Sequence, residues 1–188
     1  MIDRDHCLLY EVYRAFPVNG GASWRAENGG VFNLTTVAQA HTGKSTSIAA
    51  GISMTQGLVR YDEVVEKGVI PHALVFAVSN TRRAYVPPAR SCATTAPNPT
   101  DPALPPMGIR MRLKPTTDVS RLGRGARVVA TALMRFGMIL TDNSGPIALQ
   151  LNGTNDARWD TSDLSTLVQL HASDFEVLRL GAVSTNCP

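Results

Sequence analysis

Apolar and polar residues alternate with a period of two along much of this chain, and this pattern predicts short β-strands. Residues 6–13 (HCLLYEVY) place Leu9 and Glu11 on one face and Leu8 and Tyr10 on the other. The same alternation, or a continuous apolar run, predicts further strands at residues 30–35, 72–79, 107–114 and 175–180.

A helical pattern interrupts the strands at residues 125–136, where apolar residues recur at the spacing of one helix face. Gly137 is expected to end this helix, and an apolar run at residues 138–140 predicts a buried strand. Asp142 follows in a turn-forming sequence, and residues 146–151 predict a second strand that pairs with 138–140 as a hairpin. Asp142 is either a functional carboxylate at the end of a strand or a residue that serves only the turn.

These elements predict a single, mainly β domain across residues 1–188, with a β-sandwich or jelly-roll-like architecture, one packed amphipathic helix and short helical turns. Strands and helices do not alternate regularly, which disfavours a parallel, doubly wound sheet. Residues 58–69 have the pattern of a short helix ended by Gly68, with Glu63 on its polar side. Residues 94–106 are dense in proline and predict a long surface loop.

The composition excludes several classes of function. Hydrophobic residues make up 44% of the 188 residues and charged residues 18%, as in a lightly charged globular protein. The net charge of +3 is weak and the arginines are dispersed, so nucleic acid is not an expected partner. No run of about 18 apolar residues occurs, so no membrane span is expected. The GKST at residues 43–46 lacks the first glycine of a phosphate-binding loop, since Ala38 stands there, and does not predict a nucleotide site.

The three cysteines, Cys7, Cys92 and Cys187, lack the spacing of metal ligands. In an exported protein, Cys7 and Cys92 would form a disulfide and leave Cys187 free. Three separate thiols are the alternative.

Glu11, His72 and Asp142 are the candidate catalytic residues. Glu11 lies among aromatic residues, and a carboxyl group held among apolar groups has a raised pKa, as the acids of sugar-cleaving enzymes do. Paired with Asp142, it would form a two-carboxylate hydrolytic site. His72 follows Pro71 near an acidic segment, where it would act as general acid or base near neutral pH. Alternatively, Glu11 faces solvent, His72 is a structural residue at the edge of a strand, and Asp142 serves only the turn.

Other side chains are candidates for ligand binding. Arg110 and Arg112 project outward from one strand, and Trp159 is flanked by polar residues. Together with Tyr10 and Tyr85, they would bind a sugar through ring stacking and charged hydrogen bonds. Alternatively, the arginines protect an exposed sheet edge, and the tryptophan packs at the margin of the core.

Oxygen ligands for a metal ion are present at Asp142, Asn143, Asp156 and Asp160. Ca²⁺ takes carboxylate and carbonyl oxygens from loops, so Ca²⁺ is the expected ion, although no defined calcium-loop spacing is present. Helix capping is the alternative role of these aspartates. No organic cofactor is expected.

Six blocks of sequence carry a resemblance to known proteins: CLLYEVY (7–13), GLVRYDEV (57–64), HALVFAV (72–78), LPPMGIRMRLK (104–114), ALMRFGMILTDN (132–143) and DARWD (156–160). The chain resembles a family of secreted, β-rich proteins from soil actinobacteria and acidobacteria, sometimes fused to glycan-associated modules. The resemblance implies export and a glycan-related role, but no settled activity. Members continue upstream with a leader, so truncation at the N-terminus is expected here. They carry tryptophan and histidine where Pro87 and Ser91 stand, so no role is transferred to these positions.

The leading hypothesis is an extracytoplasmic hydrolase that acts on a glycan or on a small ester or lactone, such as an acyl-homoserine lactone. Ca²⁺ would organise a loop or polarise a carbonyl group. The alternative is a non-catalytic carbohydrate-binding or adhesion module. A cleft that holds Glu11, His72 and Asp142 within hydrogen-bond reach favours the enzyme. Scattered positions beside a flat aromatic strip favour the module.

Overall fold

The fold is known from a computed structural model that describes residues 1–36, 46–145 and 150–187. Most of the GKST segment lies outside these residues. The described strands are β1 (Ile2–Asp3), β2 (Leu8–Tyr13), β3 (Phe16–Val18), β4 (Ser23–Arg25), β5 (Asn28–Asn33), β6 (Leu74–Val78), β7 (Arg110–Leu113), β8 (Met138–Asn143), β9 (Gln150–Leu151) and β10 (Phe175–Val177). The helices are α1 (Arg124–Arg135), α2 (Thr161–Ser165), a π-helix at Asp62–Lys67, and 3₁₀ turns at Asn19–Gly21, Thr55–Gly57, Thr166–Gln169 and Ala172–Asp174. The predicted mainly β fold with one packed helix and short helical turns is confirmed.

The described strands form three sheets, with the orders β1-β2-β5, β3-β4 and β10-β7-β8-β6-β9. In the largest sheet β6 and β8 are parallel, and the other pairs are antiparallel. Two parallel strands need a crossover connection, and the segment between β6 and β8 that contains β7 and α1 provides it. β6 is almost completely buried, as its continuous apolar sequence predicts.

Residues 146–149 of the predicted hairpin partner of 138–140 lie outside the described residues, and for residues 150 and 151 the predicted pairing is wrong. β9 pairs with β6 instead, at Phe76–Leu151 and Ala77–Gln150. Both edges of β8 are occupied, one by β6 and the other by β7, and a strand has only two hydrogen-bonding edges. β8 also continues to Asn143, so Asp142 lies in a strand and not in a turn.

Helix α1 covers the core and connects directly to β8. Val129, Ala130 and Leu133 are at most 1% exposed on its inner face. Gly137 follows the helix with a φ of +72°, in the left-handed region that glycine adopts without strain. A Cβ at this position would lie 2.4 Å from the carbonyl oxygen of Met111. Glycine therefore follows the helix end for two reasons: the backbone has a positive φ, and the carbonyl oxygen of Met111 leaves no room for a side chain.

The amino end of α1 is capped by a residue that is distant in sequence. The carboxylate of Asp163 in α2 accepts hydrogen bonds from the backbone N–H groups of Gly125, at 2.8 Å, and Ala126, at 2.9 Å. Gly123 stands at the cap position of α1 and has no side chain to do this. A carboxylate at this end of a helix also interacts favourably with the helix dipole.

Replacing Asp163 with alanine is expected to lower the free energy of unfolding by about 1–2 kcal/mol, because two helix N–H groups lose their acceptor. Urea denaturation measures the change, with Asp163→Asn as the matched variant that keeps an acceptor oxygen. A free energy of unfolding for Asp163→Ala equal to that of the wild type would contradict the capping role.

The cysteine pairing differs from both expectations. Cys92 and Cys187 form a disulfide, with their Cα atoms 5.6 Å apart, and Cys7 is an exposed free thiol. The Cys7–Cys92 pair and the three separate thiols are therefore both wrong. The C-terminal segment returns to residue 85, where the backbones of Tyr85 and Ser184 exchange two hydrogen bonds. This pairing brings Cys187 to Cys92.

Residues 94–106 form a loop without a helix or strand, as their proline content predicts. Backbone N–H groups of Arg82 and Arg83 donate to the carbonyl oxygens of Pro105 and Pro99 within it. Among the described residues, no helix combines the length and the apolar character that crossing a bilayer requires.

Candidate functional site

A polar cleft of about 460 Å³, named here the Asp142 cleft, opens at the carboxyl end of β8. Its polar lining comes from segments that are distant in sequence: Tyr13, Asn28, Ser47, Ser91, Asp142 and Asn143. Ligands commonly bind just beyond the carboxyl ends of parallel strands, where loops can surround them, and β8 is parallel to β6. The cleft is therefore the candidate functional site.

Asp142 is the one carboxylate among the described residues that line this cleft. It is half-buried, and its Oδ1 accepts a hydrogen bond from the backbone N–H of Asn143 at 2.8 Å. Burial raises the pKa of Asp142 above its ordinary value, and the hydrogen bonds from the backbones of Asn143 and Ala49 offset only part of that effect. The cleft therefore holds a carboxyl group that gains a proton more readily than an exposed aspartate.

Asn143 is held in place beside this carboxylate. Its side-chain amide donates to Thr81 Oγ1 at 3.0 Å, and Thr81 is fully buried. A side chain fixed by a buried partner presents its remaining polar atom in one direction, which lowers the entropy cost of binding a ligand.

Glu11 does not line the cleft but holds its wall in place. Its carboxylate accepts hydrogen bonds from Ser47 Oγ at 2.8 Å, Ser53 Oγ at 2.7 Å and the backbone N–H groups of Met54 at 3.1 Å and Thr55 at 2.8 Å. Burial would raise the pKa of Glu11, but the hydrogen bonds from Ser53, Thr55 and Met54 outweigh it and hold that pKa below its ordinary value. The expectation of a raised pKa is wrong, because these donors stabilise the ionised form.

His72 belongs to a different cluster. Its Nε2 lies 3.0 Å from Glu63 Oε2 and its Nδ1 lies 2.9 Å from the carbonyl oxygen of Ala73. The side chain of Glu63 is only 2% exposed and also pairs with Arg60. Glu63 was expected on a polar face, and that prediction is wrong. The segment is a π-helix, whose wider turn changes which residues face the core.

The structure does not bring the three candidate catalytic residues together. In the parallel pair, Leu74 lies opposite Met138 and Ala77 lies opposite Asp142. His72 therefore stands five residues before the level of Asp142, roughly 16 Å away at about 3.3 Å per residue. Among the described residues, the connection between Glu11 and the cleft is Ser47, which donates to the Glu11 carboxylate and lines the cleft.

The aromatic residues expected to bind a ligand lie outside the cleft lining. Trp159 donates from Nε1 to the carbonyl oxygen of Thr154 at 2.8 Å, and its ring meets that of Tyr61 edge-on, with 5.2 Å between centroids. Tyr85 is partly buried against the core. Tyr10 points away from the face of β2 that carries Glu11, since successive side chains alternate.

The two arginines of β7 contact other parts of the chain. The guanidinium of Arg110 donates to the carbonyl oxygen of Phe136, with Nε at 3.0 Å. Arg112 pairs with Glu176 on the neighbouring strand β10, at 2.5 Å. These contacts do not leave the two arginines as a row of cations open to a ligand. The sheet-edge alternative is wrong as well, because β7 lies between β10 and β8 in the sheet.

The four residues expected to bind Ca²⁺ are divided between different roles. Arg158 donates to both oxygens of Asp156, at 3.0 and 2.7 Å, and lowers the pKa of Asp156 to about 2. Asp160 caps α2 by accepting from the backbone N–H groups of Ser162 and Asp163. In the described parts of the chain, no three His, Cys, Asp or Glu side chains are grouped as metal ligands. Calcium binding stays a prediction that concerns Asp142 and Asn143.

Four polar residues of the cleft were missed by the sequence reasoning: Tyr13, Asn28, Ser47 and Ser91. Tyr13 and Asn28 are paired at the end of the β2–β5 ladder. Asn28 lies two residues before the strand predicted at 30–35, so pairing the predicted strands would not have identified it. The two serines lie in loops, where serine is too common to indicate a site.

Comparison of the chain with protein-family models, with curated proteins and with solved structures found no match. The geometry of the Asp142 cleft is therefore the basis for a function.

Replacing Asp142 with asparagine is expected to stabilise the protein at pH 7, because burial disfavours the ionised carboxylate and asparagine keeps an acceptor oxygen. Because the pKa of Asp142 is raised in the folded protein, its ionised carboxylate lowers the free energy of unfolding at pH values above that pKa. This destabilisation disappears as the pH falls below 3.8, the pKa of the carboxyl group in the unfolded chain. Urea denaturation at pH 7 and at about pH 3 measures the difference between variant and wild type. A variant less stable than the wild type at pH 7 would contradict the role of burial.

Proposed function

We propose that the protein is a carbohydrate-binding module whose ligand occupies the Asp142 cleft. One observation carries the proposal: the cleft collects a carboxylate, two amide side chains and two hydroxyl groups beside the ring of Tyr13. Carboxylate and amide groups make hydrogen bonds to sugar hydroxyls, and an aromatic ring packs against the apolar face of a sugar. The volume of about 460 Å³ falls within the usual range for small-molecule sites.

Binding without catalysis has better support than glycan hydrolysis. Glycoside hydrolysis generally uses a pair of carboxyl groups on either side of the bond that breaks. Asp142 has no second carboxylate beside it in the described lining of the cleft. The carboxylate of Glu11 is committed to the wall, and His72 lies at the other end of β6.

Hydrolysis of a small ester, a lactone or a glycan is the second candidate function, and the raised pKa of Asp142 favours it. A carboxyl group with a raised pKa transfers protons more effectively near neutral pH than an ordinary aspartate. In this candidate, Asp142 would be the general acid or base in the cleft without a metal ion. Alternatively, Asp142 and Asn143 would hold Ca²⁺, which would keep the Asp142 carboxylate ionised and would supply polarisation of a substrate carbonyl group. A thermal shift that appears with Ca²⁺ and is reversed by EDTA supports the ion, and no shift removes it.

An extracytoplasmic location forms part of the proposal. The Cys92–Cys187 disulfide supports it, because structural disulfides persist in oxidising compartments and are rare in the cytosol.

Calorimetric titration with cello-, xylo- and chito-tetraose tests the proposed function. Asp142→Asn and Tyr13→Ala are each expected to weaken binding by about tenfold, because one removes a charged acceptor and the other removes the stacking ring. Asp5→Asn is the control, since Asp5 is exposed and outside the cleft. Hydrolysis of these sugars or of a lactone panel, abolished in Asp142→Asn, would favour the enzyme. Absence of both binding and turnover would reject both candidates.

A further inference from the structure

A second recess, named here the arginine groove, lies between α1 and the loop that follows the π-helix. It has a volume of about 330 Å³, and its lining includes Arg124, Arg127, Arg135, Val69, Ile70 and Phe136. Phe136 lies two residues before the start of β8, whereas the Asp142 cleft lies near the end of that strand. The two recesses are therefore separate sites on the chain.

The three arginines follow one side of α1. Their spacings of three and eight residues bring them within a quarter-turn of each other on a helix with 3.6 residues per turn. The first and the last are eleven residues apart, which corresponds to about 16 Å along the helix axis. The groove therefore carries an extended row of positive charge.

This charge is not neutralised within the described parts of the protein. None of the three arginines forms an ion pair there, and no carboxylate lines the groove among the described residues. Two of the guanidinium groups are nevertheless held in position. Arg127 donates to the carbonyl oxygen of Leu122 at 2.8 Å, and Arg135 lies over the ring of Phe136 at 5.1 Å. Positioned guanidinium groups bind carboxylate and sulfate groups at a lower entropy cost than mobile ones.

The shape of the groove and its apolar floor indicate the class of partner. A single phosphate would need converging arginines, and these are spread along the helix. A flat lipid surface would not enter a concave groove. Val69, Ile70 and Phe136 add apolar side chains to the lining that holds the arginines, and this combination suits a ligand that carries both anionic groups and apolar C–H faces. We propose that the arginine groove binds a linear acidic polysaccharide, with its carboxylate groups on the guanidiniums and its sugar rings on this floor.

A chemically matched pair of probes tests this proposal. Oligogalacturonate carries a carboxylate on each sugar, and its fully methyl-esterified form has the same backbone without the charge. Wild-type protein is expected to bind the acidic chain and not the ester, with an affinity that falls as salt is added.

The variant Arg124→Gln/Arg135→Gln removes two charges and leaves Arg127, whose guanidinium fastens the loop before α1. It is expected to bind oligogalacturonate at least about tenfold more weakly. The control Arg4→Gln/Arg179→Gln removes the same charge from exposed positions outside the groove and is expected to bind within about twofold of the wild type.

Three results would overturn the proposal: no binding of oligogalacturonate by the wild type, equal weakening in both double variants, or tighter binding of a single-stranded DNA or of phosphatidylserine vesicles through the same arginines. The proposal is independent of the Asp142 cleft, so Asp142→Asn is expected to bind oligogalacturonate as the wild type does.

Discussion

Replacing Glu11 with alanine is expected to lower the free energy of unfolding by about 3–5 kcal/mol. The Glu11 carboxylate is 7% exposed and accepts hydrogen bonds from four residues of the segment 47–55. Truncation leaves the buried Ser53 hydroxyl and two backbone N–H groups without this acceptor. The wall of the Asp142 cleft loses its anchor at the same time, so ligand binding is expected to weaken in parallel.

Chemical denaturation measures this change, and Glu27→Ala is the matched control. Glu27 pairs with Arg14 at the surface, with its side chain 49% exposed, and such a pair contributes at most about 1 kcal/mol. The low pKa of Glu11 also fixes the direction of the pH dependence. The contribution of Glu11 to stability is present at pH values above 4.5, the ordinary pKa of a glutamate. It is lost as the pH falls through the lower pKa that Glu11 has in the folded protein. Equal losses for the two alanine variants would contradict the anchoring role.

Removing the Cys92–Cys187 disulfide is expected to lower the free energy of unfolding by about 2–5 kcal/mol. The bond joins residues 95 apart, so its loss gives the unfolded chain much more conformational freedom. Cys92 also lines the Asp142 cleft. We therefore expect the variant Cys92→Ser/Cys187→Ser to bind the ligand more weakly as well.

The control for this variant is Cys7→Ser, which changes an exposed free thiol and is expected to shift stability by less than about 0.5 kcal/mol. Reduction of the wild type with a phosphine should reproduce the loss seen in the double variant. Stability that is unchanged after complete reduction would show that the disulfide contributes little to the fold.

The parts of the fold that were predicted correctly depend on local patterns. Helix α1 has a strong 3.6-residue period, β7 alternates inward apolar and outward basic residues, and β6 is continuously apolar. Each pattern concerns residues close together in sequence, so periodicity was sufficient to identify it. Gly137 was predicted for the same reason, because a glycine after a helix is a local signal.

The parts that were missed depend on contacts between distant residues. The donors to Glu11 lie 36 to 44 residues away in sequence, so no local pattern could show that this carboxylate is satisfied and ionised. Asp163 caps a helix that begins about 40 residues before it. The sequence likewise does not show which strand β9 pairs with, so its pairing with β6 and not with β8 was missed.

Of the predicted site, only Asp142 and Asn143 lie in the cleft. Asp142 was identified because it ends an apolar strand, a position at which folds often present functional groups. Glu11 was placed with Leu9 on one face of β2 without deciding whether that face is buried; both side chains are buried, and the predicted direction of the pKa shift of Glu11 was wrong. His72 could not be separated from Asp142 without knowing that β6 and β8 run in parallel.

The most direct test of the Asp142 cleft as the ligand site is a titration followed by amide chemical shifts in a ¹⁵N-labelled sample. With a tetraose that binds in the calorimetric screen, we expect the largest shift changes at the amides of Asn28, Ser47, Ser91 and Asn143. The same titration of Asp142→Asn should produce smaller changes at these amides. Changes that cluster instead around Arg124 and Arg135, or around none of the cleft residues, would contradict the cleft as the site of binding.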